Sequence, residues 1–211
     1  MRSAACAAVL ALAAMPATPG AHRLDEYLQA SRVSVARDRI ALEVDLTPGA
    51  NIASEVIASL DRDGDAAISP IEAQSYGQSV LTDLAMELDG RPVSLTLTRV
   101  EVPTIGEMRE GMGAIRLQAT ASIDGSVAGR RNLHLQNDHQ PEKSVYLANA
   151  LVPDTADVRI VSQRRDPRQR DFTIEYTVEP RRSVKMMWLL AAAAGLAGLL
   201  LQRVVATQRS A

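Results

Sequence analysis

At 211 residues the chain has room for one domain of ordinary size once its two apolar ends are set aside. A formal net charge of -2 supplies no strong field, so neither nucleic acid nor an acidic substrate is implied. The single cysteine, Cys6, sits in the first apolar run, which excludes thiolate chemistry and disulfides downstream of it, and with one Trp and one Phe any core must rest on Val, Leu, Ile and Ala.

Residues 1–21 read as a signal peptide: Arg2, an apolar run from Ala4 to Ala14, then Pro16, Pro19 and small residues ending at Gly20 and Ala21. Eleven apolar residues are too few to cross a bilayer, which takes about 20. A lipid attached at Cys6 would need an apolar stretch before the cysteine, and here it follows. Cleavage after Gly20 or Ala21 opens an extracytoplasmic domain over residues 22–180.

Within that domain Val33 and Val35, then Ile40, Leu42, Val44 and Leu46, alternate with polar residues around a turn at Arg37–Arg39, the signature of a hairpin. Thr47, Pro48 and Gly49 end it. Asn51 is placed to cap a helix carrying Ile52, Val56, Ile57 and Leu60, and a second helix follows Pro70 with Ile71, Tyr76, Val80, Leu81, Leu84 and Leu88. Residues 51–88 therefore read as a helical insertion. Strands return at Val93–Leu97, Ala114–Ala121, Leu133–Gln136, Val145–Leu151, Val158–Val161 and Phe172–Val178, with a charged turn at Gln163–Asp171. About eight strands at this spacing predict a mainly β fold, sandwich-like and interrupted by a helix-loop-helix.

The loop between the two helices, residues 61–72, fits a twelve-residue EF-hand loop at most positions. Calcium takes many hard oxygen ligands, and this spacing offers the carboxylates of Asp61, Asp63 and Asp65, the backbone carbonyl of Ala67, a direct or water-bridged oxygen from Ser69 and the carboxylate of Glu72. Ile68 is the apolar residue expected to turn inward. Ala66 departs from the pattern, standing where Gly normally supplies a left-handed backbone, a substitution that costs about 1 to 2 kcal/mol. Weak binding is thus expected, in keeping with extracellular modules that work at about 10⁻⁴ to 10⁻³ M calcium. The alternative is an acidic loop ending in a capping box, Ser69 with Pro70 and Glu72. It leaves unexplained three aspartates at alternate positions, whose mutual repulsion opposes folding unless a cation offsets it.

Met186–Leu201 is uncharged and apolar, and Val204–Ala206 extend the pattern beyond Arg203, so one C-terminal transmembrane helix is expected over residues 186–206 with a cytoplasmic tail at 207–211. Arg181, Arg182 and Lys185 before the span, against Arg203 and Arg209 after it, mildly favour the opposite orientation. The signal peptide decides, because domains longer than about 60 residues cross largely regardless of charge. The chain then sits in the inner membrane with its domain in the periplasm. Small residues at four-residue spacing, Ala191 with Gly195 and Ala194 with Gly198, suit a homodimer through the helix.

Three histidines are present: His22, His134 and His139. Cleavage after Ala21 would leave His22 with a free amine and an imidazole, a chelate suited to copper or nickel, and His139 offers a further ligand from a loop. Two nonadjacent histidines form no spacing motif. No phosphate loop, nucleotide fingerprint, nucleophile elbow or zinc-protease helix occurs, so no enzyme is expected.

The phrases Ala21–Ala30 (AHRLDEYLQA), Glu107–Gly111 (EMREG) and Ser144–Pro153 (SVYLANALVP) resemble a group of exported bacterial proteins. They are similar to the extracytoplasmic domain that precedes HupE/UreJ-type membrane domains, which are nickel-related permeases. The resemblance spans most of the domain and implies an extracytoplasmic location; those fusions carry a membrane domain where this chain has one apolar segment, and no catalytic residue is carried over. The leading expectation is a membrane-anchored, extracytoplasmic calcium-binding module with a structural or interaction role toward an envelope partner. Its rival is a copper- or nickel-handling accessory using His22, and an unrecognised enzyme comes third.

Overall fold

A computed structural model describes residues 24–180. The signal peptide, His22, the membrane helix and the cytoplasmic tail expected from the sequence lie outside the described residues. The described residues form ten strands and three short helices: β1 (Tyr27–Val35), β2 (Arg39–Pro48), α1 (Ala53–Leu60), α2 (Pro70–Thr82), β3 (Leu84–Leu88), β4 (Arg91–Pro92), β5 (Thr96–Glu101), α3 (Ile105–Arg109), β6 (Ile115–Ser122), β7 (Gly129–Asn137), β8 (Ser144–Ala150), β9 (Val158–Arg165) and β10 (Asp171–Val178).

These strands make two five-stranded sheets, ordered β5-β6-β2-β1-β8 and β4-β3-β7-β10-β9. Every neighbouring pair is antiparallel except β1 with β8. Alternation sends one face of each strand inward, so Ile40, Leu42, Val44 and Leu46 of β2 meet Leu133 and Leu135 of β7 and Phe172 and Ile174 of β10 in one buried cluster. Each such side chain contributes about 1.5 to 3 kcal/mol by leaving water. The outer edge of β8 is covered by side chains, with Gln169 and Gln163 accepting the Ala148 and Ala150 N–H groups and Arg165 donating to the Ala148 carbonyl. That blunts an edge otherwise open to pairing.

The first hairpin forms as expected but begins earlier, at Tyr27. Its first inward positions are Tyr27, Gln29 and Ser31, and two of them are polar, so the apolar alternation shows only from Val33 onward. Asn51 does not cap α1: Ile52 stands at the cap with no side-chain bond, while the Gly49 carbonyl accepts the Ile52 and Ala53 N–H groups.

The helical insertion is also shorter than the 51–88 reading, because α2 stops at Thr82 and Leu84–Leu88 is a strand. Leu84 and Leu88 stand four apart, a spacing that suits one helix face and one strand face alike. Two contexts select the strand: Leu84–Leu88 pairs with β7, and Asp89-Gly90, both at positive φ (54° and 74°), form the two-residue turn into β4.

The strand expected over Val93–Leu97 is largely a crossing: residues 93–95 lie in no strand and join β4 to β5, which takes only Thr96 and Leu97 of the expected span. β4 belongs to one sheet and β5 to the other, and Val93 and Leu95 pack against the core as the chain crosses between them. α3 was not expected. It is held by a capping box in which Thr104 Oγ1 accepts the Glu107 N–H and Glu107 accepts the Thr104 N–H, and it buries Met108. Helix α2 lies close on the sheet at Gly77, where a Cβ would come within 2.8 Å of Val100 and 2.9 Å of Leu97.

Candidate metal loop and a buried polar cluster

Residues 61–69 join α1 to α2, and their fold is set by side-chain oxygens taking up backbone N–H groups. Asp61 accepts from Gly64 (2.8 Å) and Ala66 (3.0 Å), Asp63 from Asp65 (3.2 Å), and Asp65 from Ala67 (2.8 Å). Gly64 and Ala66 both take left-handed conformations, φ 74° and 65°. For Ala66 this is a strained state, and it occupies the loop position where the EF-hand pattern has Gly. Ile68 is half-buried and packs against the core.

Three carboxylates converge as a result. One oxygen each from Asp61, Asp63 and Asp65 lies within 4.8 Å of the others, all at or near the surface. Among the described residues no Lys or Arg pairs with any of them. Such a set of hard oxygens fits a cation such as calcium or magnesium in ligand chemistry.

Glu72 stands apart from that group. Its carboxylate accepts the Arg62 N–H (2.7 Å), the Ser69 N–H (2.9 Å) and the Ser69 hydroxyl (2.8 Å), while Ser69 Oγ accepts the Glu72 N–H (3.3 Å). Ser69 and Glu72 thus form a capping box at the start of α2, with Pro70 in its first turn. These bonds, those from Ser69 first, lower the Glu72 pKa to about 2. Of the six expected ligands, then, three aspartates are gathered, Glu72 and Ser69 are bound to each other, and Ala67 contributes its N–H to Asp65 with its carbonyl in the same turn.

His139 lies in the β7–β8 connection but is buried, 5% exposed. Nδ1 is 2.8 Å from Asp83 Oδ2, its ring meets those of Tyr27 and Tyr76 edge-on, and Nε2 has no hydrogen-bond partner among the described residues. His134 is on β7, with Nε2 3.2 Å from Asp171 Oδ1. The sequence reading missed the cluster around His139. Its carbonyl accepts from Gln29 (2.8 Å) and the Tyr146 hydroxyl (2.9 Å), its N–H donates to Asn137, and the Asn137 amide donates to Gln29 (3.0 Å). Beside it the Tyr27 and Tyr76 hydroxyls share a 2.6 Å bond. Burial raises the Tyr27 pKa well above the ordinary value and that of Tyr76 to about 12. The one available signal was the run of polar residues on the inward face of β1.

No family model and no curated protein matches the chain.

Proposed function

We propose that the chain is a membrane-anchored, extracytoplasmic calcium-binding module with a sandwich-like β domain, in which the EF-hand-like loop holds one ion in a structural or interaction role. The reading is carried by the convergence of Asp61, Asp63 and Asp65 within 4.8 Å, with no Lys or Arg ion-paired to them among the described residues, in a loop that holds Ala66 in a left-handed conformation. The carbonyl of Ala67 and the side chains of Ser69 and Glu72 complete the proposed set, the last two by exchanging bonds they make with each other. The anchor and the periplasmic placement rest on the sequence of residues 1–21 and 186–206, and they agree with the resemblance to exported bacterial domains. With a single loop, the ion acts as a stabiliser of the domain rather than as a cytosolic type of switch.

Ligand binding to the folded state raises stability by RT ln(1 + [L]/Kd), so calcium at about 100 times its dissociation constant adds about 2.7 kcal/mol. Melting temperature and calorimetry of the domain in millimolar calcium, magnesium or chelator test this. Magnesium is expected to do less, since it demands a tighter octahedral shell. Asp61→Ala and Glu72→Gln each remove most of the calcium-dependent rise, and Ala66→Gly increases affinity by relieving the left-handed alanine. A melting temperature indifferent to millimolar calcium, with no binding heat, leaves only an acidic capped turn.

A further inference from the structure

The two ends of the domain differ in what they carry. At one end lie α1, α2 and the aspartate loop, beyond the Tyr27, Pro48 and Ser144 ends of β1, β2 and β8. At the other end β10 runs out beside β9, with Val178 opposite Val158 and the Glu179 N–H donating to Asp157. The Arg37 guanidinium locks that exit in place, paired with Asp157 at 2.7 Å and bonded to the carbonyls of Glu179 and Gly125.

Around this exit exposed apolar side chains stand among charged ones, Asp38, Asp124 and Asp154. In the β8–β9 connection Val152 is 88% exposed and Leu151 next to it is exposed, as is Val127 in the β6–β7 connection. Leu151, Val152, Pro153 and Ile160 line a surface cavity of about 480 Å³, with Asp154 and Arg159 also on its wall. Pro153 adds no N–H, and Leu151 spends its own on the Val33 carbonyl.

After Pro180, the last described residue, five residues (181–185) precede the apolar run that starts at Met186. Fully extended, five residues reach at most about 18 Å. If that run is the membrane anchor, the exit end is held against the bilayer and the aspartate loop points away from it.

We infer that the Leu151-Val152-Pro153 tip is a lipid contact that inserts into the headgroup region of the membrane anchoring the chain. The inference rests on the anchor proposed above. Residues 151–157 carry Asp154 and Asp157 and no Lys or Arg, so attraction to acidic headgroups is not the source. Apolar insertion is, and it is indifferent to salt.

The test uses the full chain with Cys6→Ala, reconstituted in phosphatidylcholine–phosphatidylglycerol vesicles, with a polarity-sensitive fluorophore on Val152→Cys or on Met112→Cys. Met112 is a fair control, being apolar, 71% exposed and at the aspartate-loop end. The emission of the label at 152 is expected to be blue-shifted by the less polar surroundings and quenched by spin-labelled lipids, and that of the label at 112 to be unchanged, at low and high salt alike. Flotation of the vesicles after an alkaline wash reads the anchor separately. Protein that floats, with the label at 152 quenched no more than that at 112, overturns the lipid contact alone. Protein that does not float overturns the anchor and this contact together.

Discussion

Helix α2 joins two polar regions built on opposite terms. At its start lies the 61–72 loop, charged and mostly exposed, in which aspartates hold backbone N–H groups and face one another with no Lys or Arg paired to them among the described residues. From its middle and far end, Tyr76 and Asp83 reach a largely buried cluster with Tyr27, Gln29, Asn137, His139 and Tyr146, whose polar groups pair with one another. The difference teaches where each region's stability resides. In the loop water solvates whatever is unpaired, so single changes are cheap and the ion is the strong lever. In the cluster Tyr27, Gln29, Asn137 and His139 are buried, and each deleted partner leaves a buried group with no substitute.

The sharpest way to break that contrast is Gln29→Ala. Gln29 is fully buried and its amide joins Asn137, the His139 carbonyl and Ser144 Oγ, so truncation leaves Asn137 unsatisfied and opens a cavity. A loss of about 3 kcal/mol is expected in urea unfolding. Gln118→Ala, on the exposed face of β6, serves as the control and changes stability by at most about 0.5 kcal/mol. Equal losses at the two sites would show that the buried network is not the stronger region.

A smaller effect is expected at the tyrosine pair. Tyr27→Phe and Tyr76→Phe each strand one hydroxyl of a buried 2.6 Å bond and cost about 1 to 2 kcal/mol, whereas the double variant costs less than their sum because no orphan is left. The four tyrosines, 27, 76, 146 and 176, are all raised in pKa by burial first of all. A folded value above the unfolded one means stability that is whole below about pH 10 and, for Tyr76, is lost as pH rises toward about 12. Tyrosinate absorbance should therefore lag behind that of the urea-unfolded chain through pH 10. Coincident titrations would place the hydroxyls in water.

How legible these regions are in the sequence follows from the distance over which each is assembled. The aspartate loop is local: alternate carboxylates, Ile68, Ser69-Pro70 and Glu72 fall within twelve residues, and their arrangement is readable from spacing alone. What spacing does not decide is Glu72, a residue equally apt as cap and as ligand, which the fold uses as the cap. The strands whose inward faces are wholly apolar, such as β2, are legible for the same reason. The start of β1 and the buried cluster are not, since Gln29 meets the His139 carbonyl 110 residues away and inward polar residues erase the alternation. β3 failed on periodicity, and α3 carried its capping box, Thr104 to Glu107, in a helix too short to show a period.

The smallest effect sharpens the comparison from the loop side, at Glu72. Its carboxyl is held at about 2 in the folded protein against an ordinary value of 4.5, chiefly by the Ser69 N–H and hydroxyl and by the Arg62 N–H. A depressed folded value means stability present above about pH 4.5 and lost as pH falls toward about 2. In chelator, to keep any ion out, the melting temperature of the native domain should fall across that window. Glu72→Gln should start lower at neutral pH, because its amide nitrogen faces N–H donors, and should lose less on acidification. Glu107, depressed by the matching bonds from Thr104, supplies the comparison at a capping box with no aspartates before it. Glu107→Gln should behave alike on acid titration but, unlike Glu72→Gln, leave any calcium-dependent rise intact. Native protein and Glu72→Gln losing stability in parallel between pH 4.5 and 2 would remove the cap from the account of acid sensitivity. Equal calcium responses in the two glutamine variants would remove Glu72 from the proposed ligand set.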